Sequence, residues 1–220
     1  MIKGILFDVD GTLVDSNVAH ASAWVEAFAE HNITVEHETV LRLIGMGGDK
    51  LLSSIDDSLS DESGLGKTIA ERRKAIFIDT YMDDLEPTPG SRDLVVAVQR
   101  AGLKTVVASS ASQQELGGLL KAAQVDDLLT EVTTSDDAEN SKPDPDIIHA
   151  ALATINLPAD EVIMIGDTPY DIEAATKAGV ACIAVLSGGW KETDLTGAKA
   201  VYKDTADILA HSNEIGLDID

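Results

Sequence analysis

Two aspartates, Asp8 and Asp10, stand close together near the start of the chain, directly after a short apolar run at residues 2–7. That run is typical of a buried strand. Residues two apart at the end of a strand point to the same side, and Gly11 permits a sharp exit from it. One carboxylate can then attack an electrophile while the other moves the leaving group's proton. Alone, the pattern also suits an acidic turn or a calcium loop.

A second pair of acids, Asp167 and Asp171, follows another apolar run at residues 162–165 and opens a helical pattern. Residues four apart on a helix share a face. Together with Asp8 they would form a cluster of carboxylates that needs a cation, and Mg²⁺ prefers such oxygen ligands. Helix capping is the structural alternative, but it does not account for two acidic strand ends in one sheet.

A hydroxyl and an ammonium group complete the residues with recognisable chemistry. Ser109 follows the apolar run at 105–108, where a hydroxyl can donate to a phosphate oxygen beside the first amides of a helix. The neighbouring Ser110 or Ser112 would alternatively cap that helix. Lys142 precedes a proline that restricts its loop, and its ammonium is a candidate counter-charge for phosphate and nucleophile. On its own it would be interpreted as a solvated surface lysine.

A sheet is required to bring these groups together. Apolar runs at residues 2–7, 105–108, 162–165 and 181–186 alternate with helical patterns at 93–100, 113–123, 145–155 and 171–178. Strands that alternate with helices predict an α/β fold with a doubly wound parallel sheet. Such sheets bind ligands at the carboxyl ends of their strands, where the polar groups lie.

Residues 15–85 depart from this alternation, because they show helical periodicity without a convincing strand. Ala21, Trp24, Val25 and Phe28 fall on one helix face. The turn-rich segment at 86–90 then returns the chain to the alternating pattern. The sequence therefore predicts an all-helical cap domain at residues 15–85, inserted into an α/β core of residues 1–14 and 86–220.

The composition limits the partners and the compartment. The chain has 220 residues, of which 44% are hydrophobic, yet no apolar run is long enough to span a membrane. The single cysteine, Cys182, lies in an apolar run and excludes an internal disulfide, so we expect a buried thiol and a cytoplasmic protein. With 39 acidic and 16 basic residues, the net charge of −23 argues against nucleic acid as a partner. An anionic substrate would need a local cluster of positive charge.

Taken in this order, the four polar segments resemble the four motifs of the haloacid dehalogenase superfamily. The resemblance implies a Mg²⁺-dependent phosphatase in which Asp8 is the nucleophile and Asp10 is the general acid and then base. It also implies that Ser109 and Lys142 hold the phosphoryl group. Asp8, the main-chain carbonyl of Asp10 and Asp167 would bind the metal. Asp171 would support the site, through the metal, water or Lys142.

Two branches of the superfamily compete. His20 and Trp24 resemble the first cap helix of β-phosphoglucomutase-like enzymes, where His20 would tune Asp10, although a packing role for His20 is an equal alternative. Thr12 and the pair Gly166-Asp167 favour the phosphoglycolate-phosphatase-like branch. A third hypothesis is that the chain is a binding module that kept the fold and lost its catalytic activity.

Cap residues would select the substrate, which we expect to be a small phosphorylated metabolite such as phosphoglycolate or a sugar phosphate. The glycine-rich segment around Gly47, with Lys50 and the nearby Arg42, is the candidate substrate contact, although a plain turn with solvated cations is the alternative. The protein is expected to be a monomer or a weak homodimer, without membrane or nucleic-acid partners.

Overall fold

The computed structural model describes residues 1–215 and residue 217. Its centre is a parallel sheet of six strands in the order β3-β2-β1-β4-β5-β6. The strands are β1 Gly4–Phe7, β2 Lys104–Ala108, β3 Val132–Thr133, β4 Val162–Gly166, β5 Ala181–Val185 and β6 Ala200–Tyr202. The predicted doubly wound sheet is confirmed.

Helices follow the strands as a parallel sheet requires. They are α1 Asn17–Glu30, α2 His37–Leu41, α3 Gly48–Ile55, α4 Gly64–Ile76, α5 Ser91–Arg100, α6 Gln113–Ala122, α7 Asp146–Ile155, α8 Pro169–Lys177 and α9 Thr205–Ala210. Short single turns lie between them, and a π-helical turn, Phe77–Tyr81, continues α4.

Alternate residues of the strands enter two separate apolar clusters, one on each face of the sheet. Ile5, Phe7 and Ile165 pack in the cluster that also contains α5, α6 and α9. Leu6 and Met164 pack on the opposite face with α7 and α8. Both faces are therefore buried, and the carboxyl ends of the strands remain as the open edge.

Between residues 15 and 85 the ordered elements are helices, as the periodicity predicts. Trp24 and Phe28 of α1 are buried, as is Ala21, while Val25 is half-buried on the same stretch. These side chains join the same apolar cluster as Phe7 and α6. The division into cap and core domains stays a prediction; the proposed core also includes residues 216 and 218–220, which lie outside the described residues.

Two strands have no clear sequence signal. β3 has two residues and β6 has three, and both lie at or near the edges of the sheet. Strands this short do not develop a periodic pattern, so pairing with a neighbour is what defines them. β3 pairs with the end of β2 at Val107 and Ala108, which holds the strand end that carries Ser109.

Candidate active site

Asp8 and Lys142 form the centre of the site. Asp8 follows β1 and its backbone amide donates to Ile165 of β4 at 2.9 Å, so the central strands fix its position. The Lys142 ammonium donates to Asp8 Oδ1 at 2.7 Å, to Asp171 Oδ1 at 2.8 Å and to the Ala108 carbonyl at 2.9 Å. The Lys142 side chain is fully buried. The lysine is therefore held by three fixed acceptors beside the carboxylate that the sequence predicts to be the nucleophile.

Asp171 supports the end of β4 as well as Lys142. Thr168 and Asp171 form a capping box at the start of α8, and Asp171 Oδ2 accepts from the amides of Asp167 and Thr168. A Cβ on Gly166 would lie 2.7 Å from the Asp171 carboxyl carbon, so the missing side chain lets α8 approach the strand. Asp171 therefore both caps helix α8 and binds the Lys142 ammonium.

Asp167 is completely buried among neutral donors. Asn17 Nδ2 donates to its Oδ2 at 2.8 Å, and Thr12 Oγ1 lies 3.4 Å from both Asp167 Oδ1 and Asp8 Oδ2. Sequence reasoning missed Asn17, because an asparagine at the start of a helix carries no signal for a partner 150 positions away. The position of Asn17 depends on the turn through Gly11, which adopts a positive φ of 73°.

Two glycines leave room around Asp167. A Cβ on Gly188 would lie 1.7 Å from Asp167 Oδ2, and one on Gly11 would lie 2.3 Å from the same atom. Neither position can carry a side chain unless the carboxylate moves. The backbone therefore forms a tight cradle around an acidic oxygen.

The acids at this edge suit a metal ion. Asp8, Asp167 and Asp171 each offer an oxygen within 4.8 Å of the others. Lys142 compensates Asp8 and Asp171, whereas across residues 1–215 no cationic side chain forms an ion pair with Asp167. A buried carboxylate without a cation is costly, and hard divalent cations prefer carboxylate oxygens. The donor set therefore fits a divalent cation held by Asp8 and Asp167.

The electrostatics show the same deficit of positive charge. Burial raises the pKa of the Asp8 carboxyl to about 8, against the opposing effect of Lys142, and the charge of Asp171 adds to the rise. Burial also raises the pKa of Asp167 well above its ordinary value, with Asp171 and Asp8 as further causes. Burial would lower the pKa of Lys142, but Asp171 and Asp8 outweigh it and raise that pKa, which keeps the ammonium charged. Protons or a metal must compensate the remaining acids.

A pH dependence of stability follows from Asp8. Its folded-state pKa is raised, so its stabilising contribution is complete below 3.8 and is lost as the pH rises towards about 8. In chelator, we expect the free energy of unfolding of the wild type to fall by about 5 kcal/mol more over this range than that of Asp8→Asn, which cannot titrate there, because each pKa unit between 3.8 and about 8 corresponds to about 1.4 kcal/mol. Urea unfolding at several pH values measures the free energy of unfolding of both proteins. An equal dependence on pH in the two proteins would contradict the raised pKa of Asp8. Saturating Mg²⁺ should reduce the difference between them.

Asp10 lies in a different environment from Asp8. Its Oδ1 accepts from Ser16 Oγ at 2.5 Å and lies 2.8 Å from His20 Nε2. Burial alone would raise the pKa of Asp10, but His20 and Ser16 outweigh it and lower that pKa below its ordinary value. The His20 ring stacks on Phe77 with centroids 3.8 Å apart, so His20 both packs and binds Asp10. Two carboxylates two residues apart thus have pKa values shifted in opposite directions, because their hydrogen-bond and charge partners differ.

The serines after β2 occupy separate positions. Ser109 is buried, and its hydroxyl accepts from the amide of Ala111 at 3.0 Å. Ser110 Oγ donates to the carbonyl of Gly45 at 3.2 Å, and Ser112 Oγ donates to Glu115 at 2.7 Å. Neither Ser110 nor Ser112 caps α6 through its side chain. Phosphate binding by Ser109 stays a prediction.

A cleft between the helical segment and the sheet edge opens onto Asp8 and Asp10. Its inner wall includes Trp24, Arg73 and Glu115. Arg73 of α4 donates to Glu115 of α6 at 2.5 Å and lies 5.0 Å from the Trp24 ring centroid. Arg73 has no distinguishing sequence signal, since it lies in a run of charged residues on a helix. Its Nε is buried and has no hydrogen-bond partner among the described residues.

The candidate cap residues lie against the core. Lys50 binds the carbonyl of Ser141 and the carboxylate of Asp144. Arg42, which directly follows α2, lies 4.7 Å from the Trp190 ring centroid and pairs with Glu38 of that helix. Gly47 precedes α3, beside Ser141.

The structure brings Asp8, Asp10, His20, Ser109, Lys142, Asp167 and Asp171 to one edge of the sheet. Arg42 and Lys50 are occupied elsewhere, and their role in substrate binding stays a prediction.

Fold and site together define an α/β enzyme with buried carboxylates and a lysine at its ligand-binding edge. The profile of the haloacid dehalogenase-like hydrolases matches residues 5–185, and the chain belongs to this family. Among the described residues, no helix is both long and apolar enough to cross a membrane.

A bacterial and a plant protein are similar to the chain. Phosphoglycolate phosphatase of Pseudomonas syringae pv. tomato is 30% identical over 190 residues, which cover 84% of this chain and 70% of that protein. The chloroplastic protein Suppressor of quenching 1 of Arabidopsis thaliana is 32% identical over 92% of this chain, but the chain spans only 19% of its length.

Two solved structures extend the comparison. A hydrolase from Pseudomonas syringae has a TM-score of 0.91 and 32% identity, with 98% of this chain and 99% of that chain covered. CbbY from Rhodobacter sphaeroides, solved in complex with phosphate, has a TM-score of 0.76 and 26% identity over the full length of both chains.

Proposed function

We propose that this protein is a phosphatase that hydrolyses a small phosphorylated metabolite through a phosphoryl-aspartate on Asp8. The observation that carries the proposal is the 2.7 Å contact between the buried Lys142 ammonium and Asp8 Oδ1, at the end of a central strand. A fixed ammonium beside a carboxylate can neutralise phosphoryl oxygens while the other carboxylate oxygen approaches phosphorus. Membership of a hydrolase family and the similarity to a phosphatase support the same reaction.

Asp10 is the residue that moves protons in this proposal. Its carboxyl group is held by His20 and Ser16, apart from Lys142. In its protonated form it gives the proton to the leaving oxygen, and the carboxylate that results takes a proton from the attacking water. Asp8, the main-chain carbonyl of Asp10 and Asp167 would hold Mg²⁺, which when bound would supply positive charge to the phosphoryl oxygens. Ser109 and the following backbone complete the phosphate site.

Phosphoglycolate is the proposed substrate, on the basis of the phosphatase relatives. A second pocket adjoins the cleft and shares Trp24 and Arg73 with it. It carries three basic residues, Lys67, Arg73 and Lys74, but also seven acidic ones, Asp49, Asp61, Glu62, Glu71, Glu115, Asp136 and Glu139. The surroundings of the cleft are therefore acidic, and attraction of an anionic substrate depends on Lys142, Arg73 and the metal at short range.

Release of inorganic phosphate tests the proposal. A panel of phosphoglycolate, sugar phosphates, nucleotides and pyrophosphate should identify a preferred substrate whose hydrolysis needs Mg²⁺ and stops with chelator. Conversion between sugar-phosphate isomers without phosphate release would instead indicate a mutase. If the protein binds Mg²⁺ and phosphate but hydrolyses nothing, including a generic aryl phosphate, it is a binding module and the proposal is wrong.

A further inference from the structure

Lys50 connects helix α3 to the loop that carries Lys142. Its ammonium donates to the Ser141 carbonyl at 2.6 Å and to the Asp144 carboxylate. These two acceptors flank Lys142 and Pro143, so a single side chain of the helical segment binds both sides of the lysine. The Lys50 side chain is 27% exposed, which leaves it only partly solvated.

The segment before Lys50 also lies directly on the strand-end loops. A Cβ on Gly45 would lie 2.6 Å from the Thr168 side chain, and one on Gly47 would lie 1.9 Å from Ser141 Oγ. The carbonyl of Gly45 accepts from Ser110 at 3.2 Å.

Each core residue in these contacts is the immediate neighbour of a site residue. Ser110 follows Ser109, Ser141 precedes Lys142 and Thr168 follows Asp167. The helical segment therefore touches the three loops that carry Ser109, Lys142 and Asp167.

We propose that Lys50 is a positioning residue, which places Lys142 correctly only when the helical segment is docked on the core. The proposal rests on the phosphatase function proposed above. Lys50 lines neither the cleft nor the adjoining pocket, although its neighbours Leu51 and Asp49 do. Two of its three N–H donors bind the Lys142 loop, so it acts on the reaction through Lys142 instead of contacting the substrate.

The core alone holds the same loop less directly. Lys177 of α8 donates to the Pro143 carbonyl at 3.0 Å and lies 3.4 Å from Asp144. Lys177 belongs to the core and keeps these contacts wherever the helical segment lies. It therefore provides a matched control, because its substitution removes a lysine from the same carboxylate without uncoupling the helical segment.

The test measures phosphate release from the preferred substrate by Lys50→Met, by Asp144→Asn and by the double variant that combines these two changes. Lys177→Met is the control. We expect kcat to fall about tenfold in each of the first two variants, because a small misplacement of a catalytic group is costly. KM should change less than about threefold, since the substrate contacts remain. The double variant should match the single ones, because both changes break the same contact. Lys50→Arg, which keeps the cation, should recover most of the activity.

Tryptophan fluorescence supplies a second readout that does not require turnover. Trp24 lines the cleft and Trp190 lies under Arg42 of the helical segment, and they are the two tryptophans of the chain. Inorganic phosphate with Mg²⁺ should change the fluorescence of the wild type, and Lys50→Met should need about tenfold more phosphate for the same change. Lys177→Met should behave like the wild type.

Three results would overturn the proposal: unchanged kcat in Lys50→Met, additive losses in the double variant, or an equal loss in Lys177→Met. If the wild type releases phosphate from no substrate but fluorescence still separates Lys50→Met from Lys177→Met, the phosphatase function fails while the coupling stands. If phosphate release is normal in all variants, the coupling fails and the phosphatase function stands.

Discussion

Asp8→Asn is expected to lower phosphate release by at least about 10⁴-fold, since loss of a nucleophile removes the covalent route. Asparagine has nearly the same shape, and Lys142 keeps Asp171 and the Ala108 carbonyl as acceptors. The fold should therefore persist. Initial rates with the preferred substrate and Mg²⁺ measure the loss, and circular dichroism with thermal unfolding checks the fold.

Asp10→Asn provides the matched control for this experiment. It also removes one carboxylate from the cleft, but it leaves Asp8 and Lys142 in contact. It should slow turnover while Asp8 still acquires a phosphoryl group, which the mass of the intact protein detects after rapid acid quenching. A variant Asp8→Asn that keeps more than about one hundredth of the wild-type rate would exclude Asp8 as the nucleophile.

Lys142→Met is expected to have the second largest effect, on both activity and stability. Methionine fills similar space but leaves Asp8 and Asp171 buried without their shared cation. Breaking a buried pair in this way costs about 3 to 5 kcal/mol of stability. Loss of the fixed charge at the phosphoryl oxygens should lower kcat/KM by at least about 10²-fold. Urea unfolding in chelator and initial rates with Mg²⁺ measure the two effects.

Lys177→Met serves as the control for stability. Lys177 also pairs with acidic side chains, Asp144 and Glu173, but its side chain is 40% exposed. Solvent screens such pairs, so its substitution should change the free energy of unfolding by less than about 1 kcal/mol. If Lys142→Met is as stable as Lys177→Met, the buried ammonium does not hold the two aspartates as the structure indicates.

The elements that carry the chemistry were predictable because their signals are local. β1, β2, β4 and β5 are short apolar runs, and helices α5 to α8 follow them with clear periodicity. Strand alternation with helices implies a parallel sheet, and a parallel sheet places all strand ends at one edge. Asp8, Ser109 and Asp167 stand at such ends, so their proximity follows from the order of elements along the chain.

Electrostatic differences between similar residues depended on the tertiary structure. Asp8 and Asp10 are two positions apart in sequence, yet Asp8 faces Lys142 and Asp171, while Asp10 faces His20 and Ser16. Lys142 is 134 positions from Asp8, whereas Ser16 and His20 are only 6 and 10 positions from Asp10. Burial together with these partners sets the direction of each pKa shift. The sequence offered the contact between His20 and Asp10 as one alternative, but no local pattern contains the contact between Asp8 and Lys142.

The sequence by itself determined the α/β alternation, the helical character of residues 15–85 and the acids at the strand ends, because each is encoded by neighbouring residues. Only the tertiary structure decided that Asn17 holds Asp167 and that Lys50 binds the Lys142 loop. Lys50 and Asp144 are 94 positions apart, and Asn17 and Asp167 are 150 apart. Such contacts arise from the way helices pack on a sheet, where a small shift of one helix changes which side chains meet.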